Sequence, residues 1–384
     1  MKTLTAFVLT LSTAVHSETL IGVREKLDRS IYACPERIWP GMDWKTQNII
    51  VINEEGTRSE LFRGDKTTQL PDSVAANMRG LFDFAHWEGE PALYYQLDPG
   101  MEENFETIIH EAFHYFGQGR LSYPINRSDL VPFDPTPRLL RAELIAALQS
   151  YLKGEPAALG RARGWHDQHV ATGEKLGPDE IEGSAEYVGV IANLLAELGC
   201  DAPEDLLISR ATDRIMAYGI QFQKDVQSYM AGSLALLVAR TRGIDAPSRL
   251  DGTQRLLDLA LENVGPVLAP PTPQIAKEGT LQISELNDEV MSGLVPLREA
   301  ISQGKPFVFV ALDSLRGSYS ARGSFDAVEG NFLLNLEVNT DQGQFVGHAW
   351  QVQACGGQQG FLILTDALPG GTPSTYGASP ITCY

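Results

Sequence analysis

The sequence has little positive charge, few cysteines and no long apolar run. Its 384 residues contain 30 Lys and Arg against 49 Asp and Glu, for a formal net charge of −19. It therefore lacks the basic surface that binding to nucleic acid or to anionic lipid requires. Its four cysteines form no C-x-x-C pair, which argues against a zinc site built from them. No stretch is long and apolar enough to span a membrane, so we expect no membrane span.

The first residues have the pattern of a secretory signal peptide. Lys2 is a charged start, residues 4–15 are a short apolar stretch, and the small Val15 and Ser17 precede a predicted cleavage after Ser17. The alternative is a buried first helix or strand. We expect residues 1–17 to be removed and the mature protein to be secreted or periplasmic.

All four cysteines follow the predicted cleavage site, so they would reach an oxidising compartment that favours disulfides. Four cysteines allow three pairings. We expect Cys355 to pair with Cys383, since both lie in the C-terminal segment, and Cys34 to pair with Cys200. Free buried thiols are the alternative.

Apolar periodicity predicts an α+β chain with a helical centre and a β-rich end. The predicted helices are residues 102–116, 137–152, 179–198 and 223–240. The predicted strands are 48–62 (two strands and a turn), 92–97, 306–312, 332–338, 344–352 and 361–364. The proline-rich residues 264–279 are expected to link a domain at 18–263 to a β-rich domain at 280–384, although one continuous domain is the alternative.

The most informative feature is H-E-x-x-H at residues 110–114, inside the first predicted helix. His110 and His114 are four residues apart, about one helical turn, so both imidazoles project from one face. That face can hold one Zn²⁺ through two nitrogen ligands. Glu111 follows the first ligand, where its carboxylate can reach a water on the metal.

A hydrolytic zinc site needs a third protein ligand and one open position. The longer pattern H-E-x-x-H-x-x-G-x-x-H would place a third histidine six residues after His114. Gly117 fits that pattern, but Arg120 stands at its last position, and a guanidinium does not bind zinc. The better candidate is Glu182, which begins an E-G-x-A-E-Y stretch in the helix predicted at 179–198.

With His110, His114 and Glu182 in this order, the chain resembles the gluzincin metallopeptidases. The resemblance covers about residues 48–240 as architecture and implies a small N-terminal sheet plus a helical bundle bearing one Zn²⁺. Some gluzincins have an acidic residue where Glu186 stands, and it would orient a ligand histidine through its free ring nitrogen. In gluzincins an edge strand near the metal, here 92–97, commonly binds extended peptide.

The resemblance implies a secreted zinc metallopeptidase that acts on a peptide or protein, with Glu111 as general base. Tyr229 is our first choice to stabilise the oxyanion, ahead of Tyr187 and Tyr115; a tyrosine buried in the core is the alternative for each. Two other functions stay open, a non-catalytic secreted binding protein with a structural or vestigial zinc site and a zinc hydrolase of non-peptide bonds. The β-rich end could bind substrate, cover the cleft or attach the enzyme to a surface.

Several other polar residues are interpreted as unrelated to the site. His166 and His169 have helical spacing and could bind a metal, but we interpret them as polar surface residues. Arg141 and Glu143 are interpreted as ordinary surface or pairing charges. His348 is expected to be structural.

Overall fold

The computed structural model describes residues 18–77, 81–101, 103–119, 121, 127–174, 178–217, 219–305, 307–311, 321, 323–327, 330–340, 343–353 and 359–364. The predicted signal peptide, Arg120, Cys355 and Cys383 lie outside these residues. The α+β prediction is confirmed, since the described chain combines many helices with two sheets. None of the helices in this part of the chain is long and apolar enough to cross a membrane.

The first sheet lies in the N-terminal part of the chain. Its strands are β1 (Asn48–Ile52), β2 (Ser59–Arg63), β3 (Lys66–Gln69), β4 (Phe82–Trp87) and β5 (Glu90–Gln96). Their spatial order is β3-β2-β1-β5-β4, with β1 and β5 parallel and the other pairs antiparallel. Strand β1 is buried on both faces, since Ile49 and Val51 join the main helical core while Ile50 packs with Leu70 and Ala92. Burial on both faces explains its continuous apolar run.

The expectation that residues 92–97 form the edge strand is wrong. They belong to β5, which lies between β1 and β4, and the edge on this side of the sheet is β4. Strand β4 was missed because its apolar alternation breaks after Phe84, where Ala85 follows directly; none of its residues is fully buried.

Helices make up most of the chain between the two sheets. Their bounds are α1 Leu20–Arg29, α2 Pro35–Ile38, α3 Asp72–Asn77, α4 Asn104–Ala112, α5 Pro135–Leu152, α6 Ala158–Ala171, α7 Glu182–Leu198, α8 Glu204–Ile215, α9 Lys224–Thr241, α10 Ala246–Arg249, α11 Leu256–Ala260 and α12 Pro273–Ser302. A 3₁₀ turn spans Trp44–Thr46, and a π-helical turn, Phe113–Gly117, continues α4.

Helix α7 lies at the centre and packs on both α4 and α9. A Cβ on Gly183 would come within 2.3 Å of Gly232 Cα, so α7 and α9 cross where both residues are glycine. The motif helix α4 crosses α7 at another glycine. The glycine on that side is Gly189, where a Cβ would lie 2.7 Å from the Glu106 carbonyl oxygen of α4. Two close crossings therefore hold α7 between the helices that surround the candidate site.

One of the two expected disulfides is present. Cys34, just before α2, is bonded to Cys200, just after α7, across 166 residues of sequence. The predicted pairing of these two cysteines is confirmed. The bond ties the C-terminal end of α7 to the N-terminal part of the chain.

The second sheet contains the C-terminal strands and one short strand from the helical part. Its members are β6 (Asp129–Leu130), β7 (Phe307–Ala311), β8 (Gly323–Ala327), β9 (Gly330–Thr340), β10 (Gly343–Gln353) and β11 (Gln359–Leu364), in the order β6-β8-β9-β10-β11-β7. Strand β6 pairs in parallel with β8, and the other neighbours are antiparallel. The sheet also shares an apolar cluster with the helices, in which Phe133 and Ala142 meet Val290 and Phe332.

The proline-rich stretch differs from the expected linker. Residues 264–272 are irregular, but they contact the helical part, since the Val267 amide donates to the Gly160 carbonyl at 2.8 Å. Helix α12 begins at Pro273, so residues 273–279 are helical and not irregular. A proline in the first helical turn is compatible with a helix because its missing N–H would have no partner there. The boundaries proposed for two domains stay a prediction.

Candidate metal centre

The motif helix α4 and its π-helical continuation place the two motif histidines. Asn104 organises the first turn, since its Oδ1 accepts a hydrogen bond from the Asp98 amide at 2.8 Å. Phe105, Ile108, Ile109 and Ala112 are fully buried and turn one face of the helix into the core. His110 and His114 therefore project from the other side, towards the start of α7.

Glu182, the first residue of α7, meets the two histidines. The His110 and His114 Nε2 atoms are 3.0 Å apart. The Glu182 Oε2 atom lies 3.6 Å from the first of these nitrogens and 3.3 Å from the second. His110 and Glu182 are buried and His114 is nearly so. These three side chains, which come from two separate helices, form a group that could hold a metal ion.

The second nitrogen of each ring lies near an acceptor. His114 Nδ1 lies 2.8 Å from Gln118 Oε1, and the Gln118 amide nitrogen donates to Ser184 Oγ at 2.9 Å and to the Ile181 carbonyl at 2.5 Å. Because these donations fix which end of the Gln118 amide is the oxygen, His114 Nδ1 has to carry the proton. His110 Nδ1 lies 3.4 Å from Glu186 Oε2, which favours the same tautomer.

The tautomers explain why this group suits a cation. When His110 has the same tautomer as His114, both Nε2 atoms present lone pairs to a shared space, and Glu182 Oε2 adds a third electron-rich atom. Burial, and then the neighbouring His110, lower the pKa of His114 to about 4, so its ring is neutral at pH 7. Three acceptors this close repel one another unless a positive charge lies between them. The donor set therefore fits a divalent metal ion.

Glu111 lies beside this group without belonging to it. Burial raises the pKa of the Glu111 carboxyl, and the neighbouring His110, His114 and Arg127 lower it in part. The carboxyl is thus within electrostatic range of both motif histidines.

The structure brings one of the three predicted tyrosines to the centre. The Tyr229 ring, on α9, stacks on the His110 imidazole with centroids 5.6 Å apart, and burial raises its pKa. Tyr187 lies away from the site, buried, and accepts a hydrogen bond from Arg240 at 2.8 Å. Tyr115 donates to the Ala85 carbonyl of β4 at 3.2 Å.

Arg127 is a site residue that the sequence analysis missed. Its guanidinium forms an ion pair with Glu182 Oε1, and its Nη1 lies 3.8 Å from Asp225 Oδ2. Arg127 stands in the irregular segment before β6, 13 residues after the motif, and no sequence pattern marks it. Gln118 was missed for the same reason, although it follows the motif by only four residues. Both positions depend on how the helices pack.

His166 and His169 are not surface residues, so that interpretation is wrong. Their exposed fractions are 4% and 1%, because α6 is covered by α5 and by the segment that precedes α12. His166 Nε2 lies 3.0 Å from Asp258 Oδ1, and His169 Nε2 lies 2.9 Å from Glu174 Oε2. Each ring faces its own carboxylate, and the two do not share a metal-binding space. His348 accepts a hydrogen bond from the Asn335 amide at 3.2 Å.

Arg141 and Glu143 are buried as well. They are therefore not surface charges, and the alternative interpretation, as pairing charges, is the one that remains. Arg141 forms an ion pair with Asp179, three residues before Glu182, and Glu143 Oε2 accepts from Thr272 Oγ1 at 2.8 Å. Burial alone would raise the pKa of Asp179, but Arg141 and Arg255 lower it below its usual value. Buried ion pairs thus anchor the chain at the start of α7, where Glu182 lies.

Comparison with known proteins adds no relative to this picture. No protein-family model, no curated protein and no solved structure matches the chain. The argument about function therefore depends on the geometry of the site.

Proposed function

We propose that the protein is a zinc peptidase of the gluzincin type, with His110, His114 and Glu182 as the metal ligands. The observation that supports this most is the shared space into which two bare imidazole nitrogens and a carboxylate oxygen point. Two histidines and one glutamate form a known ligand set of catalytic zinc, with a fourth position open for water or substrate. A small sheet that precedes two crossing helices, α4 and α7, agrees with the gluzincin resemblance.

Several residues of the chain each have a separate role in the proposed reaction. Zinc at this site would polarise the substrate carbonyl and lower the pKa of water from about 15.7 towards about 7. Glu111 takes the proton of the attacking water and returns it to the leaving amine. Glu186 and Gln118 accept from the Nδ1 atoms of the two histidines and so keep both Nε2 atoms available. Tyr229, with Arg127 beside it, donates to the developing oxyanion.

Extended peptide would bind along strand β4. This strand forms one edge of the first sheet, and the Phe84 ring stacks on Tyr115, with centroids 4.8 Å apart. Tyr115 follows His114 directly, so the edge of β4 is tied to the motif turn. A peptide that adds to this edge gains main-chain hydrogen bonds and runs close to the proposed metal.

Glu111→Gln tests the proposal. The wild-type protein should cleave members of a peptide library, and a chelator should stop the cleavage. Glu111→Gln should keep the metal, measured by mass spectrometry after dialysis, and lose at least about 100-fold in turnover because the general base is gone.

Glu197→Gln, at an exposed position on the same α7 helix that carries Glu182, is the matched control and should keep both the metal and the activity. Wild-type turnover in the Glu111→Gln protein would contradict the proposed mechanism. A folded, zinc-loaded wild-type protein that cleaves no peptide would point to a non-peptide substrate or to a binding protein.

A further inference from the structure

A cavity of about 740 Å³ opens beside the candidate metal centre. Arg127 and Tyr229, which contact Glu182 and His110, form part of its wall. The opposite wall belongs to the second sheet and includes Ser324, Asn331 and Gln351. Its volume falls in the range of small-molecule and peptide pockets, so it can admit substrate groups next to the reacting bond.

Hydrogen bonds join the two walls of the cavity. Asn331 Nδ2 donates to Ser128 Oγ at 2.7 Å, and Ser128 Oγ lies 2.9 Å from Ser324 Oγ. Ser128 precedes β6, while Ser324 and Asn331 belong to β8 and β9. The C-terminal sheet is therefore held in place as part of the cavity, and its polar residues belong to one site with the helical part.

The charged residues around the cavity differ in how well they are paired with hydrogen-bond donors or opposite charges. Asp129 is well paired, since its Oδ2 accepts from the buried Lys224 amide at 2.9 Å and its Oδ1 lies 3.6 Å from Arg138 Nε. Arg127 forms an ion pair with Glu182. Asp225, by contrast, has a buried Oδ1 that accepts no hydrogen bond from the described residues, while its Oδ2 lies 3.8 Å from Arg127.

A buried carboxylate oxygen without a donor is costly, so a ligand that brings a donor gains binding energy here. A cationic donor gains most, because charge-assisted hydrogen bonds are about twice as strong as neutral ones. Burial raises the pKa of the Asp225 carboxyl, the neighbouring Arg127 lowers it in part, and Asp129 raises it further. An anionic ligand would meet Asp225 and Asp129 with repulsion.

We propose that this cavity binds a lysine or arginine side chain of the peptide substrate, with its ammonium or guanidinium group paired to Asp225. The inference rests on the proposed peptidase function and adds a substrate class to it. It also assigns the C-terminal sheet a role, as the far wall of a specificity pocket.

A series of peptides tests the inference. A cleaved library peptide is resynthesised with lysine, norleucine or glutamate at each position that flanks its cleavage site. At one position lysine should exceed norleucine in kcat/KM by about tenfold or more, and glutamate should be the poorest. Asp225→Asn should reduce the lysine-to-norleucine ratio to near one, and Asp225→Glu should retain a preference for lysine.

The control is Asp167→Asn, another half-exposed aspartate beside an arginine, which lies on α6 away from the cavity and should keep the wild-type ratio. Equal rates for lysine and norleucine in the wild type, a preference for glutamate, or an unchanged ratio in a folded Asp225→Asn protein would overturn the inference while the peptidase proposal stands.

Binding separates the two proposals. Fluorescence anisotropy with labelled lysine and norleucine peptides is measured on the Glu111→Gln protein, which needs no turnover. Tighter binding of the lysine peptide that disappears when Asp225→Asn is added supports the pocket independently of turnover. Equal binding of both peptides would overturn it.

Discussion

Two helices of this protein each carry a pair of buried or nearly buried histidines close to carboxylates, and the two pairs differ in what they can bind. On α4 and its continuation, the His110 and His114 Nε2 atoms face each other at 3.0 Å. On α6, the Nε2 atoms of His166 and His169 are each taken by a separate carboxylate. Among the described residues, only the first pair belongs to a group that could hold a metal.

The difference lies in which ring nitrogen is occupied. In the first pair Gln118 and Glu186 hold the Nδ1 atoms, which leaves both Nε2 atoms free for a cation. In the second pair the Nδ1 atoms are buried without hydrogen-bond partners among the described residues. Burial and nearby carboxylates therefore do not identify a metal site. The acceptor behind each ring does, because it decides where the lone pair points.

The largest effect that separates the two pairs should be on metal content. His114→Ala removes one of three ligands and should lower bound zinc from one equivalent to nearly none, because two remaining ligands hold the ion poorly. His169→Ala is the matched substitution in the other pair and should retain a full equivalent. Mass spectrometry of the dialysed proteins measures both.

Circular dichroism shows whether each variant is folded. The contrast between the two histidine pairs would be contradicted if a folded His169→Ala protein lost its metal or a folded His114→Ala protein kept one equivalent. Either result would mean that the ion lies somewhere other than between α4 and α7.

A smaller effect is expected from the acceptor behind His114. Gln118→Ala leaves the three ligands in place but frees the His114 ring to rotate and to move its proton to Nε2. Loss of such a partner typically weakens metal affinity 10- to 100-fold, and titration against a zinc-buffering chelator would measure it. Gln168→Ala, in the helix of the second pair, is the control and should leave the affinity unchanged. Unchanged zinc affinity in Gln118→Ala would show that the tautomer does not depend on this amide.

Much of the helical frame follows from sequence. Helices α5, α7 and α9 were predicted because their apolar residues repeat at helical spacing, and the structure confirms them with small shifts at their ends. Helix α6 was missed, since Gly164, His166 and His169 interrupt the apolar pattern on a helix that is nevertheless buried. Helix α12 was missed entirely, since residues 264–279 were expected to be a linker and the rest β-rich; one proline begins the helix and another, Pro296, lies inside it.

The site residues also divide into those that the sequence predicts and those that it does not. His110, His114 and Glu182 could be named from the sequence because their spacing and order match a known pattern. Arg127 and Gln118 could not, since their roles arise only when α7 packs against the motif helix and brings Glu182 and Ser184 within reach. The sequence shows which rings share a helical face, but the partner of each ring nitrogen is a tertiary contact.

The smallest expected effect is on pH-dependent stability. Burial lowers the pKa of His169, although Glu174 opposes the shift, while an unfolded histidine has a pKa near 6.5. Below about pH 6.5 the unfolded chain therefore binds a proton that the folded protein does not, and the free energy of unfolding falls as the pH falls. One such group contributes at most about 1.4 kcal/mol for each pH unit.

Replacing His169 with glutamine removes this contribution, so urea unfolding between pH 7 and pH 5 should show a shallower loss of stability than in the wild type. The exposed His86 on β4 provides the control substitution, His86→Gln, which should follow the wild-type curve. If the His169→Gln and wild-type curves are parallel, His169 does not resist protonation in the folded state, and the contrast between the two pairs then depends on the metal alone.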